Sequence, residues 1–433
     1  MRLGLALFAL LPPSLLAAQS DAEIARAVER VAPRMIQIRH DIHQHPELSN
    51  RETRTAAIVA EQLRGLGLEV RTGIAHTGVV GVLRGGRPGP VIAIRADMDA
   101  LPVTEETDVP FKSVERATYL GQETGVMHAC GHDIHVATEL GVATVLAGMK
   151  DKLRGTVVFL FQPAEEGAPD GEEGGAKLMI AEGALDHPRP ELIVGFHTNG
   201  SPPDAEGDAE QLGHVTYTRG PAMASAAKWT ARIIGRQAHG ASPQLGVDAV
   251  VTASQVVLAL QTIRSRNLSP FTPSVVTVGI LRSGSRNNIV AGEADLEGTV
   301  RTFDDSVYAT IQRRMREIFD GITRSAGATY QLEFSEPYPV TFNDSTLATR
   351  FAPVLQRVVG AGQVREVLPH TGAEDFSYYA RVIPGFFLFV GVVPPGRTSG
   401  GHHTPTFYAD DQSIPIAMRV MTAIALNALG NGS

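Results

Sequence analysis

The stretch Val91-Ile92-Ala93-Ile94-Arg95-Ala96 runs straight into Asp97-Met98-Asp99. A continuous apolar run, rather than an alternation, marks a strand covered on both faces, as in parallel sheets. Working outward, residues 79–83 precede it, and 156–161, 192–196 and 386–392 follow it, with the same character. Between them, apolar residues fall at helical spacing over 21–39, 51–65, 136–149 (with Asp133 near its start) and 176–182. Buried strands alternating with helices predict an α/β domain with a largely covered sheet.

The middle of the chain has another rhythm. Segments 226–234, 274–281, 288–302 and 329–334 are strand-like, and 247–264 and 307–325 are helical. The turn Ser283-Gly284-Ser285 separates the second and third strands. The order β-α-β-β-α-β is the ferredoxin-like unit. It lies between α/β segments, so it is expected as a domain of residues 213–329 inserted into a larger one formed by 21–212 and 330–433. A Pro-, Asp-, Glu- and Gly-rich stretch at 201–211 suits the leading linker.

At 433 residues the chain is long enough for two or three domains. Hydrophobic residues make up 43% and charged ones 19%, which excludes wholesale disorder. A net charge of −8 and 6% aromatics argue against a nucleic-acid partner. Arg2, a short apolar stretch and small residues near Ala18 read as a secretory signal peptide over 1–20. No segment is long and apolar enough to span a bilayer. The expectation is an exported protein, periplasmic or secreted, with no membrane attachment after cleavage. Its single cysteine, Cys130, accompanies 14 histidines. An unpaired thiol in an oxidising compartment needs protection.

Polar residues cluster just after the predicted strands: Asp97 and Asp99, then Gln162-Pro-Ala-Glu165-Glu166-Gly167, then His197. Ligands of open α/β sheets bind beyond the carboxyl ends of strands, so these groups should converge. His128-Ala-Cys130-Gly131-His132-Asp133 stands just before a helix. In Cys-x-His, thiolate and imidazole can both face one metal, and ligation would shield the thiol.

These motifs resemble the M20 metallopeptidase/amidohydrolase family, in the branch of hippurate hydrolases, indole-acetyl-amino-acid hydrolases, aminoacylases and carboxypeptidases. The likeness runs from about residue 35 to the end. It includes Arg39-His40-Asp41-Ile42-His43 with His45-Pro46-Glu47-Leu48, Ile94 to Pro102, His128 to Asp133, Gln162 to Gly167, Gly372-Ala-Glu-Asp-Phe-Ser377 and His402-His403-Thr404-Pro405. The resemblance implies a zinc-peptidase-like α/β catalytic domain with an inserted lid and dimerisation domain. It implies two divalent metal ions, zinc or manganese with cobalt or nickel as alternatives, held by Cys130, His132, Glu166, His197 and His403. Cys130 takes the bridging place that Asp holds in other branches. Those branches carry His-x-Asp where this chain has Asp97-Met98-Asp99, so His132 becomes a ligand, and Asp97 and Asp99 orient the ligands from behind. His403 matches the family's His-x-Pro position and is preceded by His402.

By the same resemblance Glu165 is the general base, taking a proton from water between the metals and returning it to the leaving amine. His239, in Gln237-Ala-His-Gly-Ala-Ser-Pro243, matches the lid histidine that reaches a neighbouring subunit's site in dimeric members. Asn288 and Arg301 match lid positions that bind the substrate carboxylate or oxyanion, although Ala291 stands where the family commonly has Pro. His40, His43 and His45 are expected to be structural or pocket-lining, Glu172 and Glu173 to lie in a solvated, flexible loop, and Trp229 to be packing. The expected function is hydrolysis of hippurate-like N-acyl-amino acids by a homodimer. The competing readings are a carboxypeptidase or dipeptidase with the same centre, and an inactive binding protein on this scaffold.

Overall fold

The computed structural model describes residues 13–200 and 210–430. Residues 1–12 of the expected leader and 201–209 of the expected linker lie outside the described residues. The chain forms two units: one of residues up to Gly220 with Phe342–Leu368 and Tyr379–Ser433, the other of Pro221–Thr341 with Pro369–Tyr378.

The larger unit is built on an eight-stranded sheet. Its order is Glu69–Ile74, Gly78–Arg84, Arg154–Gln162, Arg87–Asp97, Leu192–Asn199, Gly385–Gly391, Val215–Tyr217 and Val364–Glu366. The four central strands, from Arg154–Gln162 to Gly385–Gly391, are mutually parallel. Their apolar runs are buried throughout, with Ile92, Val157, Phe159, Ile193 and Phe386 at 0% exposure, which is why no alternation is visible in their sequences. Three helices, Pro13–Gln44, His132–Ala147 and Ser413–Ala428, pack on one another. The helix His132–Ala147 is buried on nearly every side, so it is a core helix without a polar face. Among the described residues no helix is long and apolar enough to cross a membrane.

The smaller unit has the ferredoxin-like order. Strands Ser274–Ser283, Glu293–Thr302, Ser225–Ile234 and Thr329–Phe334 lie side by side, all antiparallel. Glu293–Thr302 alternates buried and part-exposed residues along its length, as a one-sided sheet requires. The helices Ala249–Thr262 and Asp305–Ala326 complete the unit. Asp248 and Asp304 cap them, each accepting two backbone N–H groups. Trp229, Leu296, Val300, Met315 and Phe319 fill this core, so Trp229 packs as expected.

The insert's limits differ from the expected 213 and 329. Val215–Tyr217 is hydrogen-bonded between Gly385–Gly391 and Val364–Glu366, which places it in the larger sheet. Thr329–Phe334 pairs with Ser225–Ile234, which places it in the smaller one. The segment Pro369–Tyr378 joins the smaller unit because Ala224 N–H donates to the carbonyls of His370 and Gly372.

Candidate metal centre

The parallel strands deliver polar residues to one end of the larger sheet. Asp97 is level with Gln162 on the neighbouring strand, and His197 with Phe389. Facing them, the turn before the helix His132–Ala147 carries Cys130 and Gly131. Gly131 has φ +89°, and a Cβ there would stand 2.4 Å from the Thr198 hydroxyl. Only glycine lets the turn approach that strand so closely.

Each expected histidine ligand on the strand and helix is oriented by its other nitrogen. His197 Nδ1 donates to the Thr198 carbonyl at 2.7 Å, and its Nε2 lies 3.4 Å from Cys130 Sγ. His132 Nδ1 donates to the Asp99 carbonyl at 2.8 Å. Its Nε2 is buried without a hydrogen-bond partner, 3.9 Å from both Glu165 Oε2 and Glu166 Oε1. Glu166 Oε1 also lies 3.1 Å from His403 Nε2. His403 holds a left-handed backbone conformation, φ 62°, and its N–H donates to the Ala129 carbonyl. Such strain in a non-glycine residue is characteristic of functional sites.

Two overlapping groups of donors share the thiol. Cys130, His132 and Glu166 form one, and Cys130, His197 and His402 the other, with their ligand atoms within 4.8 Å of one another. Four of the five expected ligands, Cys130, His132, Glu166 and His197, fall in these two groups; His403 is in neither and meets them only through Glu166 Oε1, while His402 stands beside Cys130 and His197. Burial, and then Glu166 and Glu165, push the Cys130 thiol pKa well up. Burial works against protonation of His132, yet Asp97, Asp99 and Glu166 raise it to about 10. A pocket that raises both a thiol and an imidazole is the electrostatic complement of a cation, whose binding displaces those protons. Sulfur, imidazole and carboxylate donors meeting at an orphaned buried nitrogen fit a divalent transition metal.

Asp99 ties the centre to its loop. Its carboxylate accepts the N–H groups of Glu165 at 3.1 Å and Glu166 at 3.0 Å, and the Ser49 hydroxyl at 2.8 Å. Asp97 lies between Arg95 Nη1 at 2.7 Å and His135 Nδ1 at 2.5 Å, and His135 Nε2 accepts the Thr198 N–H at 2.9 Å. This chain fixes the strand end that presents His197, a supporting arrangement common around metal ligands. Sequence reasoning assigned no role to His135, Arg95 or Glu52. Glu52 accepts from Asn50 N–H, Ala164 N–H and the Thr77 hydroxyl, and burial beside Asp99 pushes its pKa to about 8. His135 lies one turn after His132 on a helix buried on nearly every side, the one signal available in the sequence.

His40, His43 and His45 appear in none of the potential metal groups among the described residues. His43 bridges Asp133 at 2.9 Å and Glu105 at 3.3 Å, and Arg39 Nε donates to the same Asp133 oxygen. Glu172 and Glu173 are exposed and lie outside helices and strands, as expected of a solvated loop; Glu172 also binds the Arg51 guanidinium and accepts from Asn50 Nδ2.

The lid candidates belong to the smaller unit. His239 pairs with Ile289 in a short ladder, and Gly240 N–H donates to the Asn288 carbonyl, so His239 and Asn288 are neighbours. Arg301 lies on Glu293–Thr302 opposite Ala226 and Val275, where Nη1 donates to the Thr371 carbonyl at 3.4 Å.

Mixed α/β architecture, a ferredoxin-like insert and a cysteine-centred donor set define a metal-dependent hydrolase of linear amides. Residues 93–427 match the model of peptidase family M20/M25/M40, and the chain belongs to that family. It is 38% identical over 366 residues to a thermostable carboxypeptidase of Saccharolobus solfataricus, covering 84% of this chain and 87% of that one. It is 36% identical to the N-acetyl-L-cysteine deacetylase of Bacillus subtilis, covering 88% and 84% respectively. The Bacillus subtilis YxeP protein, described as a dinuclear metal-binding peptidase of family M20, superimposes with a TM-score of 0.76. It shares 31% identity over 93% of this chain and 99% of its own.

Proposed function

We propose that the protein hydrolyses the amide bond of N-acyl-amino acids, using two divalent metal ions held by Cys130, His132, Glu166, His197 and His403. The observation carrying this reading is the pair of donor groups that share Cys130, with Glu165 beside them, 6% exposed. Divalent cations bound there would supply Lewis-acid polarisation of the amide carbonyl and acidify water. Glu165 is the proton carrier. Asp99 holds its backbone N–H, the side chain reaches within 3.9 Å of His132 Nε2, and it takes a proton from water and returns it to the leaving nitrogen. The family resemblance makes Arg301, Asn288 and His239 candidates for binding the substrate carboxylate and the oxyanion.

Relatives named as a deacetylase and an indole-acetic-acid–amino-acid hydrolase support an N-acyl substrate. A panel of N-acyl-amino acids against dipeptides and peptides with free carboxyl termini, assayed with the metal-loaded protein, tests it. Faster turnover of the acyl amino acids is expected; faster peptide cleavage would assign a carboxypeptidase or dipeptidase. No metal-dependent hydrolysis at all would leave a binding protein. Glu165→Gln should lower kcat by about 10²–10⁴-fold with metal content retained. An unchanged kcat would remove Glu165 from its role.

We also propose export, on the leader-like residues 1–20, which amino-terminal sequencing of the mature protein would test. Homodimerisation is proposed through the smaller unit. Its strand Ser274–Ser283 is paired along one side, and Leu258 and Phe271 are 72% and 94% exposed. A monomer in sedimentation at assay concentration would overturn it.

A further inference from the structure

The larger unit contains a cavity of about 330 Å³ with Glu166 in its wall. Leu101, Pro102, Tyr119 and Leu120 also line it. Tyr119 and Leu120 sit at the tip of a hairpin formed by Arg116–Tyr119 and Gln122–Gly125, where they are 45% and 72% exposed. The turn Leu120-Gly121 has φ of 49° and 77°. Positive φ at both positions is the type I′ hairpin geometry that Asn-Gly ordinarily supplies. A leucine pays a steric cost there, and its exposed side chain returns little burial to the fold.

The hairpin is not loosely hung. Thr124 Oγ1 donates to the Pro102 carbonyl and Gly125 N–H to Thr104 Oγ1, both at 3.3 Å. A Cβ on Gly125 would stand 2.6 Å from Thr104 Cα, so the stem lies flush against that segment. Leu101 and Met127 exchange two backbone hydrogen bonds of 3.0 Å, joining the cavity wall to the segment leading to Cys130. The tip, Leu101 and Pro102 therefore form one supported apolar wall beside the centre.

Charge selects the occupant. The cation in the lining, Arg51, gives its two terminal nitrogens to Glu172 at 3.0 and 2.5 Å. Asp170 contributes an acidic group, while Glu166 is taken up by the metal centre proposed above. Away from the metals, a substrate carboxylate would meet no uncommitted cationic side chain in this lining, whereas a neutral apolar group meets complementary walls. In an N-acyl-amino acid the neutral end is the acyl group.

We propose that this cavity receives the acyl group, and that Tyr119 and Leu120 make the enzyme prefer a ring-sized or medium aliphatic acyl chain to acetyl. The inference rests on the amidohydrolase reading above. Its test compares kcat/KM for N-benzoylglycine and N-acetylglycine in the metal-loaded full chain. Wild type should favour benzoyl, and the double variant Tyr119→Ala/Leu120→Ala should lower the benzoyl-to-acetyl ratio by about tenfold or more, the scale set by lost apolar pocket contacts. Val114→Ala, at an exposed residue upstream of the same hairpin and outside the cavity, should leave the ratio unchanged. An unchanged ratio in the double variant, with thermal stability retained, would overturn the cavity assignment while leaving the amidohydrolase reading intact. Wild type inactive on both substrates but active on dipeptides would overturn that reading and the acyl occupant with it.

Discussion

At Cys130 the surroundings work against ionisation: burial and the Glu165 and Glu166 carboxylates hold the proton on sulfur. A bound dication reverses that balance, so the thiolate and the metal stabilise each other. Cys130→Ser should therefore cost more metal affinity than the 10–100-fold typical of lost supporting contacts, roughly speaking. Metal content and turnover measured on one preparation should fall together; survival of both would reduce the thiol to packing. His43 makes a separate prediction. Burial lowers its pKa, but Asp133, aided by Glu105, outweighs this and raises it from 6.5 to about 9. A raised folded-state pKa means that protonation stabilises the fold. That contribution is complete below pH 6.5 and disappears as pH rises through 9. Its ceiling is roughly 3 kcal/mol. Thermal melts of wild type should show this loss between pH 6.5 and 9, and those of His43→Gln should be flatter over the same window.

At the scale of elements, the helix His132–Ala147 begins at a proposed ligand and carries His135 one turn later, so its starting point sets the geometry of the proposed centre. Gly131→Ala should force φ +89° onto an alanine and drive its Cβ against Thr198. A loss of roughly 1–3 kcal/mol is expected, accompanied by lower metal content. Calorimetry with metal analysis checks both, and an unaffected centre would show that the turn can relax. The elements legible in the sequence were those whose burial leaves a pattern: the unbroken apolar central strands and the alternating strands of the insert. Glu69–Ile74 was missed because, at the sheet edge, it buries only its last residue. The hairpin at 116–125 was missed for the same reason, being largely exposed. The helices Ser345–Val359 and Ser413–Ala428 contain Pro353 and Pro415, which interrupt an otherwise readable helical spacing. Of the site, the ligand motifs were legible because each follows a recognisable strand or precedes a helix. Glu52 and Arg95 act through partners 112 and 67 residues away, a relation that exists only once the chain is packed.

At the scale of the molecule, each unit has a hydrophobic core of its own among the described residues, and every residue of the proposed centre lies in the larger unit. Removing metal should therefore destabilise the larger unit selectively. With free metal about 1,000-fold above its dissociation constant, the linkage is roughly 4 kcal/mol, or on the order of 10 °C. Scanning calorimetry with and without chelator should move the larger unit's transition and leave the smaller unit's in place, and re-adding metal should restore it. An equal shift of both would show that the units melt as one.

The strand Gly385–Gly391 fills the gap between Leu192–Asn199 and Val215–Tyr217, and His403 follows it. During synthesis the ribosome must therefore translate the whole insert before the sheet can close around its last inner strand. Until then Cys130, His132, Glu166 and His197 form an open set of donors. If His403 is a ligand as proposed, the order of translation makes metal capture a late event, and a chain cut short before residue 385 would lack both that strand and that ligand.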